Sequence, residues 1–278
     1  MADDESIWPA AELAAAKARL KQEGWCVLPG VLDPVRNQEV LDRLWASARA
    51  FERAGGPTYI PTLDPNASNV RVFHLLELDV IFRELIQHPL AVEMVREVVG
   101  TEFLISNFTA NIARPGSKSM GLHSDQSLVV PEPWLQPWAV NIIWCLTDVY
   151  LENGATLYVP GSHLWRTRAE MPADADKRLK PFEAKAGSVV VMEGRMWHTS
   201  GANITADQDR AMMFGYYTAP FLRPQVNWSA LLSNETKATL SPRMHAWLGL
   251  GVAANPGVAA DLRHLEDQFP DRKNRHIP

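Results

Sequence analysis

Apolar residues in the first hundred positions recur with the period of an α-helix. Pro9 followed by AAELAAAKARLKQ predicts a helix with proline in its first turn, and Gly24 is expected to end it. A second helix is predicted over 34–53, behind an Asp-Pro start. Its apolar residues at helical spacing are Val35, Val40, Leu41, Leu44 and Trp45. Two more helices are expected over 79–87 and 89–99. The turn-rich segment AGGPTYIPTLDPNASN, residues 54–69, follows the second helix and predicts a surface loop.

From residue 101 the pattern changes to short apolar runs separated by Gly, Pro and Asn. The runs are EFLISNFTANIARPG, AVNIIWCLTDVYL, ATLYVPG, GSVVVMEG and RAMMFGYYTAP. Several short strands with such turn punctuation indicate a β-sandwich or barrel. Beyond about residue 225 the chain becomes helix-like again, and SPRMHAWLGL predicts a helix. We therefore predict one mainly β domain over 1–278, with flanking N-terminal helices packed on one sheet and a helical C-terminal tail over 225–278.

The composition narrows the class of protein. With 278 residues, of which 46% are hydrophobic, the chain can bury a sizeable core. A net charge of −5, with no run of Lys or Arg, argues against a nucleic-acid partner. Cys26 and Cys145 form no CxxC pair, so a disulfide framework is not expected. The acidic start MADDESIWPA does not resemble a signal peptide, and no apolar stretch could span a bilayer, so we expect a soluble cytoplasmic protein.

The stretch MGLHSDQS places His123 and Asp125 two positions apart. Positions two apart on a strand share a face, so an imidazole and a carboxylate could bind one metal ion side by side. Two ligands leave a metal ion under-coordinated, so we expect a third from another segment. Among the eight histidines we select His198, because GRMWHTSGAN follows a predicted strand at a point where another strand would re-enter the core.

Two neutral imidazoles and one carboxylate are typical of non-haem Fe(II) oxygenases, although zinc accepts the same ligands. A 2-oxo acid can supply the electrons that dioxygen chemistry needs, and its far carboxylate must be bound by a fixed cation. Arg210 opens the run RAMMFGYY, where it shares a face with Met212, Phe214 and Tyr216. Because a lone buried guanidinium is costly, we expect an anionic partner there, and a cosubstrate would serve.

The segment from about Gly24 to Phe221 resembles the phytanoyl-CoA dioxygenase family of Fe(II)- and 2-oxoglutarate-dependent oxygenases. The resemblance rests on four stretches in the same order, namely GWCVLPGVLD, HSD, LENGATLYVPGSH, and WHTSGAN followed by DQDR. It implies a double-stranded β-helix (jelly-roll) core. We find no basic cluster suited to the phosphates of CoA, so the family's name is not extended to the substrate.

The resemblance also implies a role for individual residues. The implied iron ligands are His123, Asp125 and His198. Arg210 would bind the C5 carboxylate of 2-oxoglutarate, with hydrogen bonds from Thr156 and Ser200. Such an enzyme consumes O2, releases succinate and CO2, and oxidises an unactivated C–H bond of a small organic molecule, here expected in secondary metabolism. An aspartate at position 125 favours oxygen insertion over chlorination, because halogenating relatives have a small residue there.

Three residues near the HxD motif are candidates for substrate contact. Trp134 and Trp138, in the loop VVPEPWLQPWAV, could wall a substrate pocket or cover the edge of the barrel. Gln126 could face the substrate or the opposite side of its strand.

Two other classes of function compete with the dioxygenase. One is a zinc or manganese hydrolase or isomerase on the same barrel, in which Arg210 binds a substrate carboxylate. The other is a non-catalytic binding protein that retains the fold. As partners we expect a small-molecule substrate, no nucleic acid and no membrane, with the chain acting as a monomer or homodimer.

Overall fold

The structure is a computed structural model of the chain and describes residues 8–250. Its helices are α1 (Ala10–Glu23), α2 (Pro34–Arg53), α3 (Leu75–Leu78), α4 (Val80–Ile86), α5 (Pro89–Val99), α6 (Trp228–Leu231), α7 (Asn234–Thr239) and α8 (Pro242–Trp247). Its strands are β1 (Trp25–Leu28), β2 (Asn69–Val72), β3 (Leu104–Ala113), β4 (His123–Ser124), β5 (Ala139–Cys145), β6 (Thr156–Tyr158), β7 (Lys180–Pro181), β8 (Val189–Glu193), β9 (Trp197–Ser200) and β10 (Arg210–Thr218).

The predicted N-terminal helices are present, and local signals explain where they begin and end. In α2, the side chain of Asp33 accepts hydrogen bonds from the amides of Val35 and Arg36 and so caps the first turn. Helix α1 ends at Gly24, which has a left-handed φ of +79°. A Cβ atom at Gly24 would lie about 2.5 Å from the ring of His163, so this position needs glycine for both its backbone and its packing.

Six antiparallel strands form the larger sheet, which we call the major sheet, in the order β1-β8-β5-β10-β3-β2. Strand β5 is buried along its whole length, because neighbouring layers cover both of its faces. Helices cover the outer face. The hydroxyl of Tyr217 donates to the carbonyl of Ile86, and the ring of His88 lies 5.5 Å from that of Trp144. The N-terminal helices thus pack on one sheet, as predicted.

The smaller sheet, which we call the minor sheet, has the antiparallel order β4-β9-β6-β7. A cluster of buried side chains fills part of the space between the two sheets. Met192 and Met212 contribute to it from the major sheet, and Tyr158 from the minor sheet. The Tyr158 ring stacks on that of Phe182 at 4.4 Å, and Trp25 lies 4.5 Å from Phe182. Two facing antiparallel sheets with this core form a jelly-roll-like architecture.

Residues 227–250 are the described part of a second compact unit and contain α6, α7 and α8. The side chains of Asn227, Ser233 and Ser241 each accept a hydrogen bond from an amide in the first turn of one helix. The helix predicted from SPRMHAWLGL corresponds to α8, and the rest of the predicted tail, residues 251–278, lies outside the described residues. Within residues 8–250, no helix combines the length and apolar character needed to cross a membrane.

Candidate active site

Two histidines lie side by side on the minor sheet. Strand β4 pairs with β9, and His123 is directly opposite His198 in the register. Their ring centroids are 4.4 Å apart. His198 is buried, whereas the His123 side chain is 39% exposed. The pairing of one short strand with another therefore brings together two imidazoles that are far apart in the sequence.

Asp125 completes the predicted group, but by a different local structure from the one expected. The prediction that His123 and Asp125 share a strand is wrong, because β4 ends at Ser124 and Asp125 begins a short 3-10 helix. The turn still directs the carboxylate toward the histidine, with Asp125 Oδ1 3.9 Å from His123 Nε2. One ligand atom from each of His123, Asp125 and His198 can be chosen so that all lie within 4.8 Å of one another.

Backbone carbonyl groups orient both imidazoles. His123 Nδ1 lies 2.9 Å from the carbonyl oxygen of Gly121, and His198 Nδ1 lies 2.9 Å from that of Met196. A carbonyl oxygen only accepts, so each Nδ1 carries a proton, and in the neutral imidazole each Nε2 then presents a lone pair. Burial lowers the pKa of His198; the Asp125 carboxylate opposes this shift and His123 adds to it. Neutral imidazoles with free Nε2 atoms are the form that binds a metal ion.

The major sheet supports Asp125 through residues that sequence reasoning missed. Asn141 Nδ2 donates to Asp125 Oδ2, and the hydroxyl of Tyr216 donates to the Asp125 backbone carbonyl at 3.3 Å. Asn141 and Tyr216 are paired across β5 and β10. The available signal was a single amide within the otherwise apolar run AVNIIWC. With Oδ2 engaged, Oδ1 is the carboxylate oxygen that remains for a metal ion.

His123, Asp125 and His198 open onto a cavity of about 550 Å³ between the sheets. The cavity also contains the other residues that the family resemblance implies, since Thr156, Ser200 and Arg210 line its wall. Thr156 and Ser200 are register partners on β6 and β9. The Ser200 Oγ accepts a hydrogen bond from the amide of Met120, so the hydroxyl hydrogen of Ser200 points away from Met120. Apolar side chains complete much of the wall, among them Leu63, Phe73, Met120, Leu122, Leu128 and Phe214.

Arg210 is almost completely buried, at 1% exposure. Its Nε donates to the carbonyl of Gly154 at 3.0 Å, and its Nη1 donates to the backbone and side-chain oxygens of Asn111 at 3.3 and 3.1 Å. These partners are neutral, and no carboxylate of the described residues forms an ion pair with Arg210. Burial, with a further contribution from the charge of Arg71, lowers the pKa of Arg210 to about 10. The guanidinium is therefore a buried cation at neutral pH.

The predicted surface loop covers part of the cavity. Residues 54–68 lack helix and strand in the structure, and Thr62 and Leu63 from this loop line the cavity. A bidentate ion pair ties the loop to β2, where Arg71 Nε and Nη2 donate to the buried Asp64 at 2.8–3.1 Å. Sequence reasoning identified the loop but neither member of this pair, because nothing in a turn-rich segment indicates where its carboxylates point.

The three candidate substrate contacts are not among the residues that line the cavity. Gln126 is buried, with its amide donating to the Gln136 carbonyl and accepting from the amide of Trp138. Trp134 is buried and donates from Nε1 to Val129, and the Trp138 ring packs edge-on against Phe221 at 5.7 Å. These contacts fit the alternative interpretation for the tryptophans, which is that they cover the barrel edge. Gln126 lies in the 3-10 helix after β4, and its side chain fastens the loop.

The arrangement fits a divalent first-row transition metal. Two neutral nitrogen donors and one carboxylate oxygen converge beside a cavity, and this donor set is shared by non-haem iron and zinc sites. A buried cation, which has no anionic partner within residues 8–250, lies on the same cavity wall. The site can therefore hold a metal ion and an anion together.

Comparisons with known proteins indicate the chemistry of related sites. Residues 20–212 match the family described as Phytanoyl-CoA dioxygenase (PhyH). The dioxygenase af480 of Aspergillus fumigatus is 50% identical over 258 residues, which is 93% of this chain and 83% of the relative. This agreement confirms the prediction of an oxidoreductase of the dioxygenase class.

Solved structures with the same fold are more distant in sequence. The epimerase SnoN in complex with Fe3+, alpha ketoglutarate and nogalamycin RO aligns with a TM-score of 0.62 at 22% identity, covering 78% of this chain and 88% of SnoN. HygX from Streptomyces hygroscopicus, with nickel and 2-oxoglutarate bound, aligns with a TM-score of 0.61 at 18% identity, covering 78% of this chain and 90% of HygX. At such identities the likeness establishes the fold.

Proposed function

This chain belongs to the phytanoyl-CoA dioxygenase family, and from that premise we propose that it is an Fe(II)- and 2-oxoglutarate-dependent dioxygenase. Its reaction is the oxidation of an unactivated C–H bond in a small organic molecule, with release of succinate and CO2. The substrate belongs to secondary metabolism, which the nogalamycin complex of SnoN supports by analogy.

One observation carries this proposal. A single cavity contains both the His123–Asp125–His198 group and the buried guanidinium of Arg210. Each feature alone has an ordinary structural explanation. Together they match a cosubstrate that chelates a metal at one end and carries a carboxylate at the other. The structures of SnoN and HygX, which contain a metal ion with that cosubstrate, support the same assignment.

The residues of this chain have separate tasks in the proposed reaction. Fe(II) and 2-oxoglutarate, when bound, supply the oxidising chemistry with O2. His123, His198 and Asp125 bind the metal through Nε2, Nε2 and Oδ1, and Asn141 keeps Asp125 in place. Arg210 binds the distal carboxylate, assisted by Thr156 and Ser200.

The surroundings of these residues restrict water and orient the substrate. Phe214 lies on the same strand face as Arg210, and apolar side chains such as Met120 and Leu122 extend the wall beyond the metal site. An apolar wall excludes water from the reacting groups and favours an apolar part of the substrate. The loop that contains Leu63 closes one side of this chamber.

The test is a binding experiment on the full chain without O2. Fe(II)-loaded protein should bind 2-oxoglutarate and develop the visible charge-transfer band of an iron–2-oxo acid complex, whereas Zn(II)-loaded protein should remain colourless. Admitting O2 should then produce succinate. Absence of both the band and succinate formation would contradict the proposal. Preferential binding of Zn(II) by protein purified from its own cells would favour a hydrolase or isomerase instead.

A further inference from the structure

Asn111 lies on the cavity wall near Arg210 and belongs to the major sheet. In the register it is opposite Met212 of β10 on one side and Arg71 of β2 on the other. The residue is 3% exposed and is one of those that line the cavity. Thr109, two positions earlier on the same strand face, also lines the cavity and provides a comparison.

The orientation of the Asn111 amide follows from its charged neighbour. Arg210 Nη1 donates to Asn111 Oδ1 at 3.1 Å. A guanidinium has donors and no acceptor, so the amide oxygen must face Arg210 and the NH2 group must point the other way. The hydrogen bond from Arg210 thereby determines the direction of the Nδ2 donor.

The Nδ2 atom is buried and has no acceptor within residues 8–250. Buried polar groups in folded proteins are almost always hydrogen-bonded, so a buried donor without a partner requires an explanation. Asn111 faces the cavity, which means that an acceptor can come from a bound molecule. Oxygen atoms of an anion are the strongest acceptors for such a donor.

The charges around Asn111 favour an anion over a neutral ligand. Arg210 and Arg71 both line the cavity, and Asp64 neutralises Arg71 through its bidentate ion pair. One positive charge therefore remains on this part of the wall. Burial, together with the nearby charge of Arg71, lowers the pKa of Arg210, and a negative charge beside the guanidinium would oppose both effects.

We propose that Asn111 is a further cosubstrate-binding residue, which donates a hydrogen bond from Nδ2 to the distal carboxylate of 2-oxoglutarate next to Arg210. The inference rests on the proposed function of this site and adds to it a second recognition element for dicarboxylic 2-oxo acids. Arg210 holds the amide of Asn111 in place, and the two side chains together read the carboxylate that a monocarboxylic 2-oxo acid lacks.

The experiment measures ligand binding and requires no turnover. Mn(II)-loaded full-length protein is titrated calorimetrically, without O2, with 2-oxoglutarate and with 2-oxopentanoate, which has the same chain length but no distal carboxylate. Asn111→Leu should weaken 2-oxoglutarate binding by about 10- to 100-fold, the loss typical of a hydrogen bond to a charged group. Binding of 2-oxopentanoate and of Mn(II) should stay within about threefold of wild type.

Two further variants distinguish recognition from a general change in the cavity. Asn111→Asp keeps an oxygen for Arg210 but replaces the NH2 group with an anionic oxygen, so it should weaken 2-oxoglutarate binding more than Asn111→Leu. Thr109→Val, an isosteric change on the same strand face, should leave 2-oxoglutarate binding within about threefold of wild type. If Asn111→Leu does not fold, Asn111→Asp decides the question.

The possible failures are separable. Equal losses for both 2-oxo acids, an unchanged 2-oxoglutarate affinity in Asn111→Leu or Asn111→Asp, or an equal loss in Thr109→Val would overturn the role of Asn111. Wild-type protein that binds Mn(II) but no 2-oxoglutarate would overturn the proposed function itself.

Discussion

The two sheets contribute different chemistry to the same cavity. The minor sheet carries the two imidazoles on strands of two and four residues, and His123 is partly exposed. The major sheet carries Arg210, Asn111 and Asn141 on strands of nine, ten and seven residues. Long strands with neighbours on both sides have many ladder hydrogen bonds, whereas a two-residue strand has few.

This contrast indicates two separable binding functions. Arg210 and Asn111, the main residues proposed to recognise the anion, lie on a scaffold that is stable through its own packing, and Thr156 and Ser200 assist from the minor sheet. His123 lies on a two-residue strand at the edge of the minor sheet, where few ladder hydrogen bonds fix the backbone, so a bound metal ion would contribute more to local order there. Variants of Arg210 and Asn111 should therefore affect anion binding and largely spare metal binding.

The largest effect is expected for His198→Ala. Removal of one of three protein donors should weaken Mn(II) or Fe(II) binding by at least about 100-fold, which exceeds the usual effect of losing an outer-shell partner. Binding of 2-oxoglutarate should be weakened as well, because its keto acid end needs the metal. Calorimetric titration with Mn(II) measures the first effect, and His245→Ala, a histidine of α8, serves as the control. Retention of wild-type metal affinity would contradict the assignment of His198.

The next largest effect concerns the major sheet alone. Arg210→Met should weaken 2-oxoglutarate binding by about 100-fold or more, because it removes a buried charged partner, and should leave Mn(II) binding within about threefold. Arg210→Lys keeps the charge but loses the planar fork, so an intermediate affinity is expected. Calorimetry with both ligands checks the result. If Mn(II) binding fell as much as 2-oxoglutarate binding, the two functions would not be separable.

A smaller effect is expected where the two sheets meet. Asn141→Leu should weaken Mn(II) binding by about tenfold, because Asp125 loses the amide that holds Oδ2. Tyr216→Phe is the matched control, since its hydroxyl bonds the backbone carbonyl of Asp125 at 3.3 Å and not the carboxylate, and it should change the affinity by less than about threefold. Equal effects of both variants, measured by the same titration, would argue against a specific role for Asn141.

The smallest effect concerns stability and pH at the outer face of the major sheet. Burial lowers the pKa of His88 from 6.5, so the unfolded chain takes up this proton first as the pH falls. The metal-free protein should therefore lose stability as the pH drops below 6.5 and through the lowered pKa, and should be most stable above this window.

Replacing His88 by leucine should reduce that pH slope without removing it, since burial lowers the pKa of His74 and His163 in the same direction. Urea denaturation at about pH 7.5 and about pH 5.5 measures the difference. An unchanged slope would mean that His88 does not titrate in this range.

The helices and the longer strands could be predicted from the sequence because their signals are local. Pro9 and Gly24 mark helix ends through their own backbone preferences and Asp33 through its side-chain cap, and the structure has α1, α2 and α5 at the predicted positions. Strand β2 was missed, because NVRV is short and follows a turn-rich segment. Its pairing with β3 is a long-range interaction that no local pattern contains.

The site residues divide in the same way. The HxD motif, His198 and Arg210 stand out by residue type, and the structure brings them to one cavity. Asn111 and Asn141 are ordinary residues on apolar strands, and their importance depends on which side chain lies opposite. The contribution of Trp134 could not be decided from the sequence, because a loop tryptophan suits a pocket and a barrel edge equally well.

Gly154 connects the shape of a turn with the chemistry of the cavity. Its φ of +89° suits glycine, a Cβ atom there would lie 3.1 Å from the carbonyl oxygen of Gly201, and its own carbonyl accepts from Arg210. A side chain at this position would displace the turn and, with it, the guanidinium. If Arg210 binds the cosubstrate as proposed, mutational tolerance at position 154 depends on cosubstrate capture as well as on folding. A library selected only for soluble protein would then accept replacements that a library selected for turnover rejects.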